Sequence, residues 1–219
     1  MKNLFSTSIG KKFAMAISAI FLMIFLLQHF IINITSVFSE EIFNMLSHFM
    51  GTNFLVQFIL QPILIAGVLF HFIMGFYLEI QNRKAAKYEY QKEKGSANST
   101  WMSRNMITSG LVILAFLVLH FIDFWVPEMN HKYIEFLPED PNRYFKHLVH
   151  KFENPLRVAM YCLAFVLLAL HLLHGFTSSL RSMGTNKSYV SSAKTAGIVY
   201  SIGIPLGFCV IAIFHYLNH

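Results

Sequence analysis

The sequence predicts an all-α integral membrane protein, a bundle of five transmembrane helices. Of its 219 residues, 55% are hydrophobic and only 13% are charged. Mean hydropathy is +0.52, and a composition this apolar indicates a membrane protein rather than a soluble domain. Five apolar runs are long enough to cross about 30 Å of hydrocarbon as helices. Little chain remains outside them, so we expect one membrane domain, residues 1–219, without a separate catalytic domain.

The five predicted spans follow one another with short connections. They cover residues 13–34, 54–80, 106–126, 156–180 and 196–217, each given to within a few residues. The first run is too long for a cleaved signal sequence and lacks a small-residue cleavage site, so we expect it to remain as a span. Pro62 lies early in the second span and Pro205 lies in the middle of the fifth, where neighbouring helices can support a kink.

The distribution of lysine and arginine predicts the orientation. The N-terminus and the loops after the second and fourth spans carry twelve of the 17 basic residues, and the loops after the first and third carry five. The positive-inside rule therefore predicts a cytoplasmic N-terminus and a C-terminus outside. Because the basic residues flank apolar runs, the net charge of +6 reflects topology, and we expect no nucleic-acid partner.

Four spans each place a histidine in a similar apolar phrase: LLQHFIIN, FHFIMG, LHFIDF and LHLLHG. His29 and His120 lie on outward-running helices, roughly 21–24 Å from the inner edge at 1.5 Å per residue. His71 and His171 lie on inward-running helices, roughly 22–26 Å from the outer edge. The four histidines therefore sort into two pairs at two depths.

Two facing imidazoles at one depth can bind a heme iron from both sides, and such a six-coordinate iron transfers electrons without binding oxygen. Bundle cores build these sites from side chains on facing helices. Gly75 and Gly175 follow His71 and His171 by one turn, which leaves room for a flat ring. No Cys-x-x-Cys-His occurs in the sequence, so the usual covalent attachment is ruled out. The pattern predicts two non-covalent hemes.

Alternatives exist for the individual histidines. A single histidine in a span is about as often a packing residue or part of a proton relay, and the pairing by depth is what favours heme. His174 lies three residues from His171, and spacing does not exclude it as the ligand. The shared His-x-x-x-Gly pattern favours His171. We predict that His215, which has no partner at its depth, is a surface histidine.

Several motifs resemble the diheme cytochrome b membrane anchor of succinate dehydrogenase and fumarate reductase, the single-chain five-helix type of bacteria that use menaquinone. These motifs are SIGKKFAMA, LQHFIIN, FNMLSHFMG, FHFIMGFY, LHFIDFW and HLLHGFTSSLRSMG. The resemblance covers almost the whole chain. It implies that His71 and His171 bind an inner heme b, and that His29 and His120 bind an outer heme b.

The resemblance also implies location, partners and reaction. The chain would lie in the bacterial cytoplasmic (inner) membrane and bind an iron–sulfur subunit, which carries a flavoprotein subunit. It would pass electrons between the iron–sulfur clusters and menaquinone, with no dicarboxylate active site of its own. Direction of flux, succinate oxidation or fumarate reduction, does not follow from the sequence.

The quinone site is expected near the outer heme, because quinone reduction consumes two protons and needs titratable groups beside the carbonyls. The candidate residues are Glu41, Asn44, His48 and Asp123. The alternative for each, which the sequence favours slightly, is a polar residue of an amphipathic surface helix or a carboxylate at the membrane edge. Heme propionates need cationic or hydroxyl partners, and the candidates at the inner heme are Lys12, Ser18, Ser109, Ser178 and Arg181.

Two other functions are compatible with five spans that contain histidines. The first is a diheme anchor of another dehydrogenase, such as a hydrogenase or a formate dehydrogenase. The second is a proton-coupled transporter whose histidines relay protons. A relay predicts more buried carboxylates, whereas Asp123 is the only acid well inside a predicted span.

Overall fold

The structure, a computed structural model, describes residues 7–89, 106–185 and 187–219, without the side chains of 85–89 and 187–192. Within these ranges all regular secondary structure is helical. The α-helices are α1 (Ser8–Ile34), α2 (Glu40–Thr52), α3 (Gln61–Glu89), α4 (Met106–His120), α5 (Val126–Met129), α6 (Arg143–Phe152), α7 (Pro155–Ser182) and α8 (Lys187–Asn218). The all-α prediction is confirmed. Residues 90–105, most of the basic loop expected on the cytoplasmic side, lie outside the described residues.

Five helical segments are long and apolar enough to span a membrane, as predicted. They are Ser8–Val37, Val56–Lys84, Met106–Ile134, Pro155–Ser182 and Ala193–Asn218. The largest difference at a single end is in the third, whose helical path continues beyond residue 126 through α5 to Ile134. The side of the membrane on which each end lies stays a prediction.

Side-chain caps explain where several helices begin. The Ser39 side chain accepts a hydrogen bond from the backbone N–H of Ile42 at 3.2 Å, which starts α2. The Asn154 side chain accepts from the first backbone N–H groups of α7, and Pro155 occupies the first helical position. Caps of this kind satisfy N–H groups that have no partner inside the helix.

Two wide π-helical turns lie beside prolines. Val56–Leu60 precedes Pro62, and Phe121–Trp125 precedes Pro127. Proline has no N–H and its ring crowds the carbonyl four residues earlier, so the helix widens there. For Pro127 that carbonyl belongs to Asp123, and His147 Nε2–H donates to it at 2.8 Å. Burial, with Lys151 and Arg143 nearby, lowers the pKa of His147.

We call the end of the bundle where α1 begins the N-side and the opposite end the C-side. Helices α1, α4 and α8 run from the N-side to the C-side, and α3 and α7 run back. Helix α7 packs against α1, α4 and α8. The buried hydrophobic core lies in the C-side half, around Phe152, Tyr161, Phe165, Phe208 and Ile211. Helices α2 and α6 contact each other at the C-side end of the bundle.

The prediction that His215 is a surface residue is wrong. Its side chain is 0% exposed, because α1 and α6 cover this end of α8. The Ser36 hydroxyl donates to the backbone oxygen of Asn33 at 2.7 Å and so accepts from His215 Nε2–H at 2.9 Å. Phe145 packs edge-on against the imidazole at 5.5 Å between ring centres. His215 is therefore a buried histidine outside the two predicted pairs.

Candidate metal centres

All four predicted histidines line one continuous cavity inside the bundle. The cavity has a volume of about 1060 Å³ and extends from Lys12 and Asn82 at the N-side to Gly51 and Tyr144 at the C-side. A single ligand site usually occupies about 300–1,000 Å³. The cavity therefore lies at the upper end of the volume range of a single ligand site.

The N-side pair consists of His71 from α3 and His171 from α7. Their ring centres lie 6.5 Å apart, with an angle of 66° between the planes. His71 Nδ1 lies 3.0 Å from the Ser18 hydroxyl. On the opposite helix, His171 Nδ1 lies 3.1 Å from the Ser109 hydroxyl. Each imidazole of this pair is thus held by a serine from a third or fourth helix.

The C-side pair consists of His29 from α1 and His120 from α4. Their ring centres lie 5.8 Å apart, and the planes are nearly perpendicular at 85°. Phe25 stacks on His29 and Phe116 stacks on His120, each from the preceding turn. His120 Nδ1 is buried without a hydrogen-bond partner among the described residues. Both rings lie where apolar side chains surround them.

Both ring separations fit a single metal ion held between two imidazoles. A bond of about 2 Å from the metal to each nitrogen, and about 1.1 Å from nitrogen to ring centre, places the centres roughly 6.3 Å apart. The observed 6.5 Å and 5.8 Å lie close to this value. The described residues contain no cluster of three or more histidine, cysteine or acidic side chains, and two-imidazole coordination does not need one. The ring spacing of each pair therefore lies within about 0.5 Å of that of a metal site with two imidazole ligands.

The two pairs are built from a repeated arrangement. In α1 the positions are Met15, Ser18, Phe25 and His29, and in α4 the same spacing gives Met106, Ser109, Phe116 and His120. In α3 and α7 the repeat is His71–Gly75 and His171–Gly175. Serine and histidine are eleven residues apart in both α1 and α4, which separates the two levels by about 16 Å. Each half of the chain thus contributes one histidine to each level.

The glycines after the N-side histidines line the cavity, and each faces a methionine. A Cβ on Gly75 would lie 3.5 Å from Met15 Cε, and one on Gly175 would lie 3.8 Å from Met106 Cε. These are ordinary contact distances, so the described protein neighbours by themselves leave room for a Cβ at either position.

A polar cluster lies at the C-side end of the cavity, and we call it the Gly51 cluster: Gly51, Glu128, Lys132, Arg143 and Tyr144. Glu128 is ion-paired with Lys132 and with Arg143, both at 2.5 Å, and the three side chains are 15–22% exposed. Lys132 also donates to the Gly51 carbonyl oxygen. A Cβ on Gly51 would lie 2.8 Å from Tyr144 Oη and 3.2 Å from the charged ends of Glu128 and Lys132. Only glycine fits this position without displacing the tyrosine.

Tyr144 keeps its proton in this cluster. Burial, followed by the Glu128 carboxylate, raises the pKa of Tyr144 to about 12. Arg143 Nη2 donates to its oxygen at 3.4 Å. Because the ring lines the cavity, its hydroxyl is a hydrogen-bond donor that a ligand there could reach.

The predicted quinone residues occupy different settings. Glu41 is exposed on α2. Asn44 is buried, and its side-chain oxygen accepts from the backbone N–H of Phe145 at 2.8 Å, which ties α2 to α6. His48 packs edge-on against Tyr144, with 6.1 Å between ring centres, and its Nδ1 is buried without a hydrogen-bond partner among the described residues. Of the four candidates, His48 lies beside the Gly51 cluster.

Asp123, the fourth candidate, is a buried and compensated acid. Its side chain is 1% exposed, pairs with Arg157 and accepts a hydrogen bond from Tyr161 Oη at 2.8 Å. A buried carboxylate without such partners would be costly. The contacts account for Asp123 as a link between the third span and α7, and its role at a quinone stays a prediction.

The predicted propionate partners also divide. Lys12 and Ser178 line the N-side end of the cavity, whereas Arg181 is exposed and does not. Ser18 and Ser109 contact the ligand imidazoles, as described above. Of the five candidates, Lys12 and Ser178 are therefore the ones placed to contact a propionate in the cavity. Ser18 and Ser109 contact His71 and His171 instead.

Sequence reasoning missed the Gly51 cluster. Glu128 and Lys132 have the i,i+4 spacing of a helical ion pair, which was a signal available in the sequence. The approach of Tyr144 to Gly51 depends on how residues 127–152 fold back over α2, and no local pattern encodes it.

Comparison with family models, with curated proteins and with solved structures found no match to this chain.

Proposed function

We propose that this chain is the diheme cytochrome b anchor subunit of a succinate dehydrogenase or fumarate reductase. It passes electrons between an iron–sulfur subunit and a membrane quinone, menaquinone by resemblance. The observation that carries the proposal is that four histidines from four helices meet as two cross-helix pairs in one cavity. The motifs that resemble this family contain all four.

The two hemes b, when bound, would supply one-electron transfer between the two levels of the bundle. The residues of the chain do the rest. His71 with His171, and His29 with His120, would each hold one heme iron between two imidazoles. The phenylalanines around the C-side pair keep water away from it. The separation of about 16 Å follows from eleven residues of helix rise.

We further propose that the quinone headgroup binds at the Gly51 cluster. A quinone takes up two electrons and two protons to become a quinol, so its carbonyl oxygens need hydrogen-bond donors with access to water. Tyr144 supplies a protonated hydroxyl at the cavity wall. Glu128 is ion-paired with both Arg143 and Lys132, so one of the two positive charges remains uncompensated beside the electron-rich carbonyl oxygen. Glu128 is 17% exposed, so the cluster reaches the C-side surface, where water can supply the protons.

The contacts of the buried acids disfavour a histidine-relay transporter. A relay needs carboxylates that can gain and lose protons. Within the described parts of the spans, Asp123 and Glu128 are both ion-paired with arginine. The two histidine pairs also lie at levels about 16 Å apart, too far for direct proton transfer.

Purification of the tagged chain from its native membrane under mild detergent tests the proposal. We expect it to bring down a flavoprotein and an iron–sulfur subunit, and the complex to reduce fumarate with a menaquinol analogue or to oxidise succinate. An anchor of a hydrogenase or a formate dehydrogenase would instead bring down subunits without the flavin, and a chain that purifies alone and colourless would contradict the proposal.

A further inference from the structure

We propose that the hydroxyls of Ser18 and Ser109 fix the tautomer of His71 and His171 and lower the reduction potential of the N-side heme alone. The claim about the reduction potential rests on the proposed function, because it requires a bound heme. The claim about the tautomers concerns only the residues of the chain. Ser18 and Ser109 are thus positioning residues, which act through the imidazoles they contact.

The direction of each hydrogen bond follows from the number of hydrogens available. The Ser18 hydroxyl donates its single hydrogen to the backbone oxygen of Met15 at 2.8 Å. The hydroxyl oxygen has no second hydrogen to donate, so in its contact with His71 Nδ1 at 3.0 Å the Nδ1–H donates and the oxygen accepts. His71 then carries its proton on Nδ1 and its lone pair on Nε2. That is the tautomer in which Nε2 is free to coordinate a metal.

The same arrangement occurs on the other side of the N-side pair. The Ser109 hydroxyl donates to the backbone oxygen of Met106 at 2.9 Å and lies 3.1 Å from His171 Nδ1. Both serines thus use the carbonyl three residues earlier and accept from a histidine on another helix. Because the arrangement appears twice with the same spacing, a chance contact in one helix does not explain it.

The C-side pair lacks this support. His120 Nδ1 has no hydrogen-bond partner among the described residues. The polar side chain that contacts the His29 ring is Asn33, whose side-chain nitrogen lies 3.4 Å from Nδ1 and 3.5 Å from Nε2 and donates to the His29 backbone oxygen at 2.8 Å. An amide N–H is not an acceptor, so it cannot hold an Nδ1–H. The two levels therefore differ in what their imidazoles contact.

This difference has an electronic consequence. A hydrogen bond from Nδ1–H to an acceptor orients the ring and makes Nε2 a stronger electron donor. A stronger axial donor favours ferric over ferrous iron, and so lowers the reduction potential. Loss of either serine hydroxyl should then raise the potential of the N-side heme and leave the C-side heme unchanged.

The test is a spectroscopic redox titration of the purified complex carrying Ser18→Ala, Ser109→Ala or both. We expect the N-side potential to shift upward in each single variant and further in the double variant, with the C-side potential constant. Ser18→Thr, which keeps a hydroxyl, should restore much of the wild-type value. Unchanged potentials, or equal shifts at both hemes, would overturn the inference.

Ser36→Ala is the matched control. Ser36 also donates to a carbonyl three residues earlier and accepts from a histidine, His215, which belongs to neither pair. Its replacement should shift neither heme. A shift equal to that of Ser18→Ala would mean that any lost serine hydroxyl perturbs the bundle, and would defeat the specific role.

Nitrogen-15 NMR of the histidine-labelled, heme-free chain reads the tautomer directly. We expect Nδ1–H at His71 and His171 in the wild type, and a mixture of tautomers at His71 in Ser18→Ala. Nε2–H in the wild type would overturn the inference whatever the heme content. If the chain bound no heme but showed Nδ1–H, the proposed function would fail and the tautomer assignment would stand.

Discussion

Replacing His71 with alanine is expected to remove one heme from the chain and to leave the other in place. His71 supplies one of the two imidazoles of the N-side pair, and no other histidine of the described residues lies in contact with His171 across the cavity. The C-side pair lies about 16 Å away along the helices, so its site should persist. The heme content, measured by heme quantitation and by the reduced-minus-oxidised spectrum, would fall from two hemes per chain to one.

His174→Ala is the control for this experiment, because it removes a neighbouring imidazole that also lines the cavity. We expect the variant to retain both hemes, and His120→Ala to lose only the C-side heme. If His174→Ala lost a heme and His171→Ala kept both, the N-side ligand would be His174, and the pairing with His71 would be wrong.

Gly51→Ala is expected to slow the reaction with quinone by roughly tenfold or more, because a hydrogen bond that supports developing charge is worth about 1.5–3 kcal/mol. The added Cβ would lie 2.8 Å from Tyr144 Oη, so the tyrosine ring must move. Tyr144→Phe, which removes only the hydroxyl, should have a similar effect. Steady-state oxidation of a menaquinol analogue by the whole complex measures both, with heme content unchanged.

Gly203→Ala provides the matched control, since a Cβ at that position meets nothing within 4 Å. Its quinone kinetics should equal those of the wild type. Normal kinetics in both Gly51→Ala and Tyr144→Phe would exclude the Gly51 cluster as the headgroup site. Asp123 and Glu41 would then be the next candidates for contacts with the quinone.

The sequence predicts the spans and the levels of the histidines well, for a physical reason. Hydrocarbon forces each apolar run into a helix, and the fixed rise of a helix turns residue number into depth. His29 and His120, and likewise His71 and His171, therefore reach the same level without any knowledge of packing. The structure places both pairs as neighbours across the cavity.

Features that depend on how elements cover one another could not be predicted in this way. His215 is buried because α1 and α6 pack over the end of α8, which the sequence of α8 alone does not indicate. The same holds for Tyr144 and Gly51, whose approach needs the loop after the third span to fold over α2. Whether Ser18 meets an imidazole or a propionate depends on the rotation of α1 against α3.

The number of hemes per polypeptide tests the central claim most directly. Pyridine hemochrome quantitation of the purified chain, set against its protein content by amino-acid analysis, gives that ratio. We predict two protohemes per chain, both low-spin in the oxidised state. A ratio of one or zero would contradict the account, because at least one of the two imidazole pairs would then hold no iron.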